Sequence, residues 1–289
     1  MSNTIELAKS FVPKLDECYR LASLTSVLDG APELAKQGAN ANELIIPMMS
    51  MDGLADYSRN GGYVQGGVTM TNETVKCNFD RGRRFDVDIM DDLETAGLAF
   101  GRLSAQFIRD KVVPELDAFR FASYCGISGV TKKEETACRW RGHRCALSAA
   151  VTAMDDEEVT ATGRYLFITP TLLQGINDMD TTKSKKVLEG FEQVIKVPQR
   201  RFYTAIKQLS GKTGEEAGGY TKATGAANIN FAIVQKDALI QYTKHAAPKI
   251  IAPENNPDAD AYVFGYRMVG IAKAYKNMLS GMYFSHDKA

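Results

Sequence analysis

The sequence predicts an α+β fold, on three observations. Apolar residues alternate between glycines over residues 45–89, a helical apolar stripe begins at Leu93, and short strands separated by helix starts follow Gly163. At 289 residues the chain is long enough for one large or two ordinary domains and a sizeable core. Lys and Arg total 35 and Asp and Glu total 35, a formal net charge of zero that disfavours a dedicated basic nucleic-acid binder. With 44% hydrophobic and 24% charged residues the composition is that of a folded globular protein and far from a disordered one.

The first twenty residues carry Glu6, Asp16 and Glu17 and no continuous apolar core, so no secretory signal is expected. No stretch approaches the roughly 18 apolar residues of a membrane span, which predicts a soluble chain with no membrane partner. Five cysteines (Cys18, Cys77, Cys125, Cys138, Cys145) are an odd number without an export signal and are read as reduced thiols.

The chain opens with Ala8, Phe11, Leu15, Tyr19 and Ala22 at helical spacing, interrupted by Pro13, and continues through a small, polar stretch from Asp29 to Glu43. This pattern predicts an arm and a tether lying against this subunit or a neighbour. From Ile45 to Ile89 the alternation predicts one long β-hairpin, with a polar, flexible tip over Asp52–Gly67. Tyr63-Val64-Gln65 sits between glycines, Arg59 near the tip, and Arg81, Arg83 and Arg84 at the base. An isolated two-stranded ribbon is marginal in water, so a partner surface is implied.

Asp91 stands three residues before Glu94 as a capping-box-like helix start. Leu93, Ala96, Phe100, Leu103 and Phe107 follow at three- and four-residue steps, and after a register shift Val112, Leu116 and Phe119 continue the stripe toward Tyr124. A continuous helix from Asp92 to Tyr124 would be about 50 Å long, kinked at Pro114. The stretch from Gly126 to Ser148 reads as basic and irregular, and Asp155–Glu158 as a solvated acidic turn.

Beyond it, strands are expected at Tyr165–Ile168, Val194–Val197, Ile229–Val234, Lys249–Ala252 and Gly281–Phe284, with a long strand carrying Tyr262, Phe264, Tyr266 and Met268 on one face. Thr169-Pro170 places an N-cap hydroxyl before a proline suited to the first helical position, predicting a helix toward Asn177. A short helix is expected at Asp237–Tyr242. Five glycines between Gly211 and Ala227 predict a mobile surface loop.

No catalytic constellation survives inspection. Gly211-Lys212-Thr213 ends like a phosphate-binding loop, but the required earlier glycine is Ile206. Cys138, His143 and Cys145 lack a C-x-x-C pair and a fourth zinc ligand. None of His143, His245 and His286 lies in a nucleophile or metalloprotease motif. Lys132, Lys133, Arg139, Arg141 and Arg144 around Trp140 form a brief basic-aromatic patch, better read as an interface or salt-bridged surface than as a single-stranded nucleic-acid site. No catalytic, metal or cofactor-binding residue is assigned.

The order of arm, long hairpin, long kinked helix, α/β region and late aromatic strand resembles the major capsid proteins of tailed bacteriophages, the Hong Kong 97-type fold. The stretches that carry the resemblance are residues 12–17 (VPKLDE), 85–92 (FDVDIMDD), 112–120 (VVPELDAFR), 163–170 (GRYLFITP), 190–198 (GFEQVIKVP) and 230–234 (NFAIV). They span nearly the whole chain.

The resemblance implies an N-arm over residues 1–42, an extended loop over 43–86 and a peripheral domain with a spine helix over 87–130. An axial domain over 131–228 follows, and residues 229–289 return through it into peripheral strands. It implies self-assembly through homo-hexamers and homo-pentamers into an icosahedral shell. That shell would enclose double-stranded DNA without sequence-specific binding, be assembled in the bacterial cytoplasm, and end as a virion capsid. The expected inter-subunit contacts are Phe11, Leu15, Tyr57, Arg59, Tyr63, Arg81, Arg83 and Arg84. A portal protein and decoration proteins are further partners in the family.

There is no room before the arm for a scaffolding domain, so a separate scaffolding protein is expected. Residues 52–74 contain no lysine, which predicts a shell without lysine–asparagine cross-links. Alternatives are an encapsulin-like compartment shell of the same fold, a small α/β enzyme using Thr169-Pro170 as an anion site, and a DNA-binding module using the stretch from Lys132 to Arg144.

Overall fold

The computed structural model describes residues 23–30, 36–37, 43–89, 104–135, 140–178 and 182–288. Its centre is a five-stranded sheet of β5 (Thr131–Glu134), β13 (Met282–His286), β10 (Ile229–Gln235), β6 (Arg164–Ile168) and β7 (Gln193–Lys196), in that spatial order. β10 runs antiparallel to β13 and β6, while β13 is parallel to β5 and β6 to β7. Four strands therefore share one direction and β10 opposes them.

β6 and β10 are buried along their whole length, because both faces of the sheet are covered. Tyr165, Phe167, Ala232 and Val234 face a cluster with Phe121, Tyr124 and Phe202, whereas Leu166, Ile168, Phe231 and Ile233 face Leu147, Met154 and Ile176. The second cluster belongs to helices α2 (Trp140–Asp156) and α3 (Pro170–Asp178), with α4 (Thr182–Glu189) beside them.

A second sheet pairs β11 (Leu239–Ile251), β12 (Ala261–Ala274) and β4 (Phe79–Asp88), all antiparallel. Phe264, Tyr266 and Met268 project from one face of β12 onto Ile108, Val112, Val113 and Leu116, as the alternation predicts. These last residues lie on the spine of the molecule, helix α1 (Val113–Gly126) preceded by a π-helical turn at Ile108–Val112. That turn explains the register shift: the step from Phe107 to Val112 is five residues, one more than an α-helical stripe allows and the spacing of an i→i+5 turn. Pro114 follows as the second residue of α1, where it has no N–H to offer the preceding turn. Residues 90–103, which carry the expected helix start, lie outside the described residues.

Several expectations are corrected. The hairpin does not run to Ile89: β2 (Glu43–Met51) pairs with β3 (Val68–Lys76), and β4 leaves to pair with β12. Apolar alternation continues through Cys77 and Phe79 because both partners need the same period. Tyr63-Val64-Gln65 is loop. Residues 140–148 are helical, not irregular; Leu147, Ala150 and Met154 supply the stripe that docks α2.

The expected helix at Asp237–Tyr242 is a 3₁₀ turn, Lys236–Ala238, running into β11, where Leu239, Ile240 and Gln241 are buried against neighbouring strands. Part of the glycine-rich stretch is a small hairpin, β8 (Ile206–Gln208) with β9 (Tyr220–Lys222). A two-residue strand, β1 (Lys36–Gln37), lies on β2 within the expected tether. Pro170 opens α3 as predicted, but the Thr169 hydroxyl caps no N–H of that helix and has no hydrogen-bond partner among the described residues; Thr169 lines a cavity at the helix N-terminus.

Candidate assembly surface

In the β2–β3 ladder Met49 lies opposite Met70 and Met51 opposite Val68, so the four side chains share one face. All are exposed. Of the nine exposed large hydrophobics among the described residues, eight lie between Met49 and Met70 and the ninth is Met278, so the exposed apolar surface is concentrated on this hairpin. The opposite end of the hairpin is anchored, with Val75 buried against Ile240 and Ile271.

The tip is a structured loop. Asp52 N–H donates to Gly67 O at 3.2 Å, and Gly67 N–H donates to Asp52 Oδ2 at 2.7 Å. Within it Ser58 and Gly62 form an antiparallel bridge, Gly62 taking a φ of 74°, and the rings of Tyr57 and Tyr63 tilt together at 4.9 Å. Tyr63 is 90% exposed, and Arg59 and Leu54 are exposed beside it.

The three base arginines have different roles. Arg81 Nε donates to Glu115 Oε1 at 2.8 Å, and its Nη2 donates to Leu209 O at 2.7 Å and Gly219 O at 3.3 Å. Burial pushes the Glu115 carboxyl up from the usual range, and the Arg81 charge pulls it partly back. Arg83 Nη2 donates to Glu216 O at 2.8 Å and lies against Gly211 and Gly218, where a Cβ would stand 2.9–3.0 Å from its Nη1. Arg84 pairs with Asp86 at 2.8 Å, which raises its already high pKa. Arg81 and Arg83 thus fasten the 209–219 loop to β4 and α1.

Within that loop Glu215 accepts from Ser210 N–H and Lys207 Nζ, each at 2.7 Å, and is pushed down to about 2. On the same sheet Arg267 grips Asp80 through two bonds of 2.9 and 2.7 Å, holding that carboxyl below its ordinary value.

Phe11 and Leu15 lie outside the described residues. Ser23–Asp29, inside the expected arm, is held by a buried polar network. Asp117 on α1, fully buried, accepts from Ser23 Oγ at 3.0 Å, Leu24 N at 3.1 Å, Thr25 N at 3.3 Å and Thr25 Oγ1 at 2.7 Å, and pairs with Arg201 at 3.2 Å. Arg120, one turn later, donates to Thr25 Oγ1 and Asp29 Oδ1 at 2.8 and 3.1 Å. Gln241 of β11 donates to Thr25 O and Asp29 Oδ1 and accepts from the Tyr124 hydroxyl at 2.6 Å. Sequence reasoning missed this network; its signal was a charge at Asp117 and another at Arg120 inside an otherwise apolar stripe.

Among the described residues no group of three or more His, Cys, Asp or Glu side chains could hold a metal. Cys77, Cys125 and Cys145 are free thiols, and burial raises Cys77 and Cys125. Cys18, Cys138 and the His143 side chain lie outside the described residues. No helix is long and apolar enough to cross a membrane, among the described residues.

No family model and no curated protein matches the chain. Solved structures do match. A Gordonia phage Cozz structure superimposes with a TM-score of 0.61 at 10% identity, over 93% of this chain and 87% of its own. A virus-like particle from Pyrococcus furiosus gives 0.60 at 10% identity, over 97% and 99%. The capsid of cyanophage P-SCSP1u gives 0.55 at 13% identity, over 88% and 86%. At such identities the likeness speaks for the fold: this chain folds as the major capsid proteins of tailed bacteriophages do.

Proposed function

We propose that this chain is the shell-forming subunit of a tailed phage or prophage head, assembling through hexamers and pentamers into an icosahedral shell around double-stranded DNA in the bacterial cytoplasm. The observation that carries it is the hairpin face of Met49, Met51, Val68 and Met70, exposed together and left uncovered by the described body. Burial of apolar area drives association, and repetition by closed symmetry multiplies a modest contact. A second copy supplies the cover, with Tyr57, Arg59 and Tyr63 at the contact and Phe11 and Leu15 of the arm at another.

The absence of lysine from residues 52–74 supports a shell held without covalent cross-links. Scaffolding, portal and decoration proteins would be its partners, and no cofactor is required. The likeness to the Pyrococcus furiosus virus-like particle favours a second reading, a compartment shell enclosing protein cargo.

The test is to express the chain with and without a co-expressed scaffolding protein, measure sedimentation, and image the heavy fraction. Closed shells or rings of five and six subunits support assembly, and nuclease-protected DNA separates a head from a cargo compartment. A discrete dimer or tetramer that stays small under both conditions overturns the proposal.

A further inference from the structure

At one end of the five-stranded sheet lies a cavity of about 440 Å³ lined by Thr169, Pro170, Leu172, Gln199, Asn230 and Asp287. Its position follows from the topology. β6, β7 and β13 run in one direction and the residues that follow each of them line the space, so the cavity sits beyond the carboxyl ends of three strands, where α/β sheets place ligands.

Helix α3 points its N-terminus into this space. Pro170 has no N–H, and Leu173 N–H is already bonded to Thr169 O at 3.1 Å, leaving the N–H groups of Thr171 and Leu172 without an acceptor inside the helix. Thr169 is only 5% exposed, yet its hydroxyl has no partner among the described residues and borders the cavity. That hydroxyl is not cut off from solvent, so it opens on the cavity and is free to bond an occupant. The opposite wall is an acceptor: Asp287 Oδ1 accepts from Asn230 Nδ2 at 3.0 Å, and a carboxylate has a second oxygen with lone pairs to spare.

We infer that this cavity binds a carboxylate carrying an adjacent N–H donor, as presented by a peptide terminus or by an acidic side chain beside its own amide. The carboxylate accepts from the α3 N-terminus and the Thr169 hydroxyl, where the helix dipole favours negative charge. The N–H donates to Asp287. The same Asp287 charge repels a dianion, which selects against sulfate and phosphate. The site is independent of the shell reading and stands on one chain.

Saturation-transfer NMR on the full chain tests this and tolerates large assemblies. The probes are N-acetylglycine for a terminus, acetyl-Gly-Asp-Gly-amide for a side chain, acetate for the bare carboxylate, and sulfate. N-acetylglycine or the peptide should bind better than acetate, and sulfate should not compete; which of the two binds better identifies the source. Thr169→Val should weaken binding about tenfold, the worth of one hydrogen bond to a charged group. Asp287→Asn should abolish the advantage over acetate and admit sulfate, a gain that misfolding does not produce. Absence of saturation in the wild-type chain, competition by sulfate there, or equal binding by both variants would overturn the assignment.

Discussion

The Thr25 hydroxyl donates to Asp117 Oδ1 at 2.7 Å, joining residues 92 positions apart in a fully buried setting. Replacing Asp117 by Ala leaves Arg201 and four other donors without their shared acceptor. Removing one partner of a buried pair costs about 3–5 kcal/mol, so D117A should lower the unfolding free energy read from urea titration by that amount and move the midpoint down accordingly. Hydrogen exchange should quicken first at Leu24 and Thr25. An unchanged midpoint would mean that the apolar contacts of Leu28 hold the segment without the network.

Acid should loosen the 209–219 loop. Glu215 has its folded pKa depressed to about 2, so the stability it contributes is present above its ordinary value near 4.5 and is lost as pH falls through about 2. Exchange at the Ser210 amide should accelerate relative to its unprotected rate across that window, and Glu215→Gln should remove the dependence. Glu115 acts in the opposite sense: its folded pKa is raised, so its contribution is complete below the ordinary glutamate value and declines as pH rises through the raised one.

Assembly, and not the folding of the subunit, should be sensitive to the hairpin face. Met51→Glu places a charge where apolar area must be buried, so the far-UV circular dichroism of the subunit should persist while sedimentation loses the heavy fraction. Mild peroxide treatment before assembly, converting Met49, Met51 and Met70 to polar sulfoxides, should do the same. Shells that still form at wild-type yield would discount this face.

Gly82 is fixed by its neighbour strand. A Cβ there would stand 2.8 Å from Tyr266 O, a backbone atom of β12 that cannot rotate away. Gly82→Ala should therefore cost about 1–3 kcal/mol, the range for overpacking, and thermal unfolding reads it directly. Gly126, with open space around its missing Cβ, is a control: Gly126→Ala should be near neutral.

The parts of the fold legible in the sequence are those whose period is set by burial on a known number of faces. β6 reads as an apolar run and β10 as one interrupted only by Asn230 before its closing Gln235, β12 reads as strict alternation, and α3 is marked by its opening proline. What stayed hidden depends on pairing. β3 and β4 share one period across Cys77 and Asn78, so nothing local says that the second leaves the hairpin. β11 passes for a helix at its start because Leu239, Ile240 and Tyr242 suit either period, and only the ladder to β12 decides. Within the candidate surface, Tyr57, Arg59 and Tyr63 were visible as residues of an uncored tip. The methionine face was not singled out, since cross-strand partners follow from register and not from composition. Arg81 and Arg83 were legible as a cluster, but their work on the 209–219 loop needed the fold.

The π-helical turn at Ile108–Val112 gives the spine helix an allowance in length. A turn of this kind holds one residue more than the α-helix it interrupts, so removing a single residue there should convert it to α-helix and leave both flanking apolar stripes on the same side. The same deletion within Leu116–Tyr124 would swing every following side chain by about 100° and pull Phe121 and Tyr124 out of the core. Among the described residues of the spine, tolerance of shortening thus falls at the turn that ends two residues before Pro114.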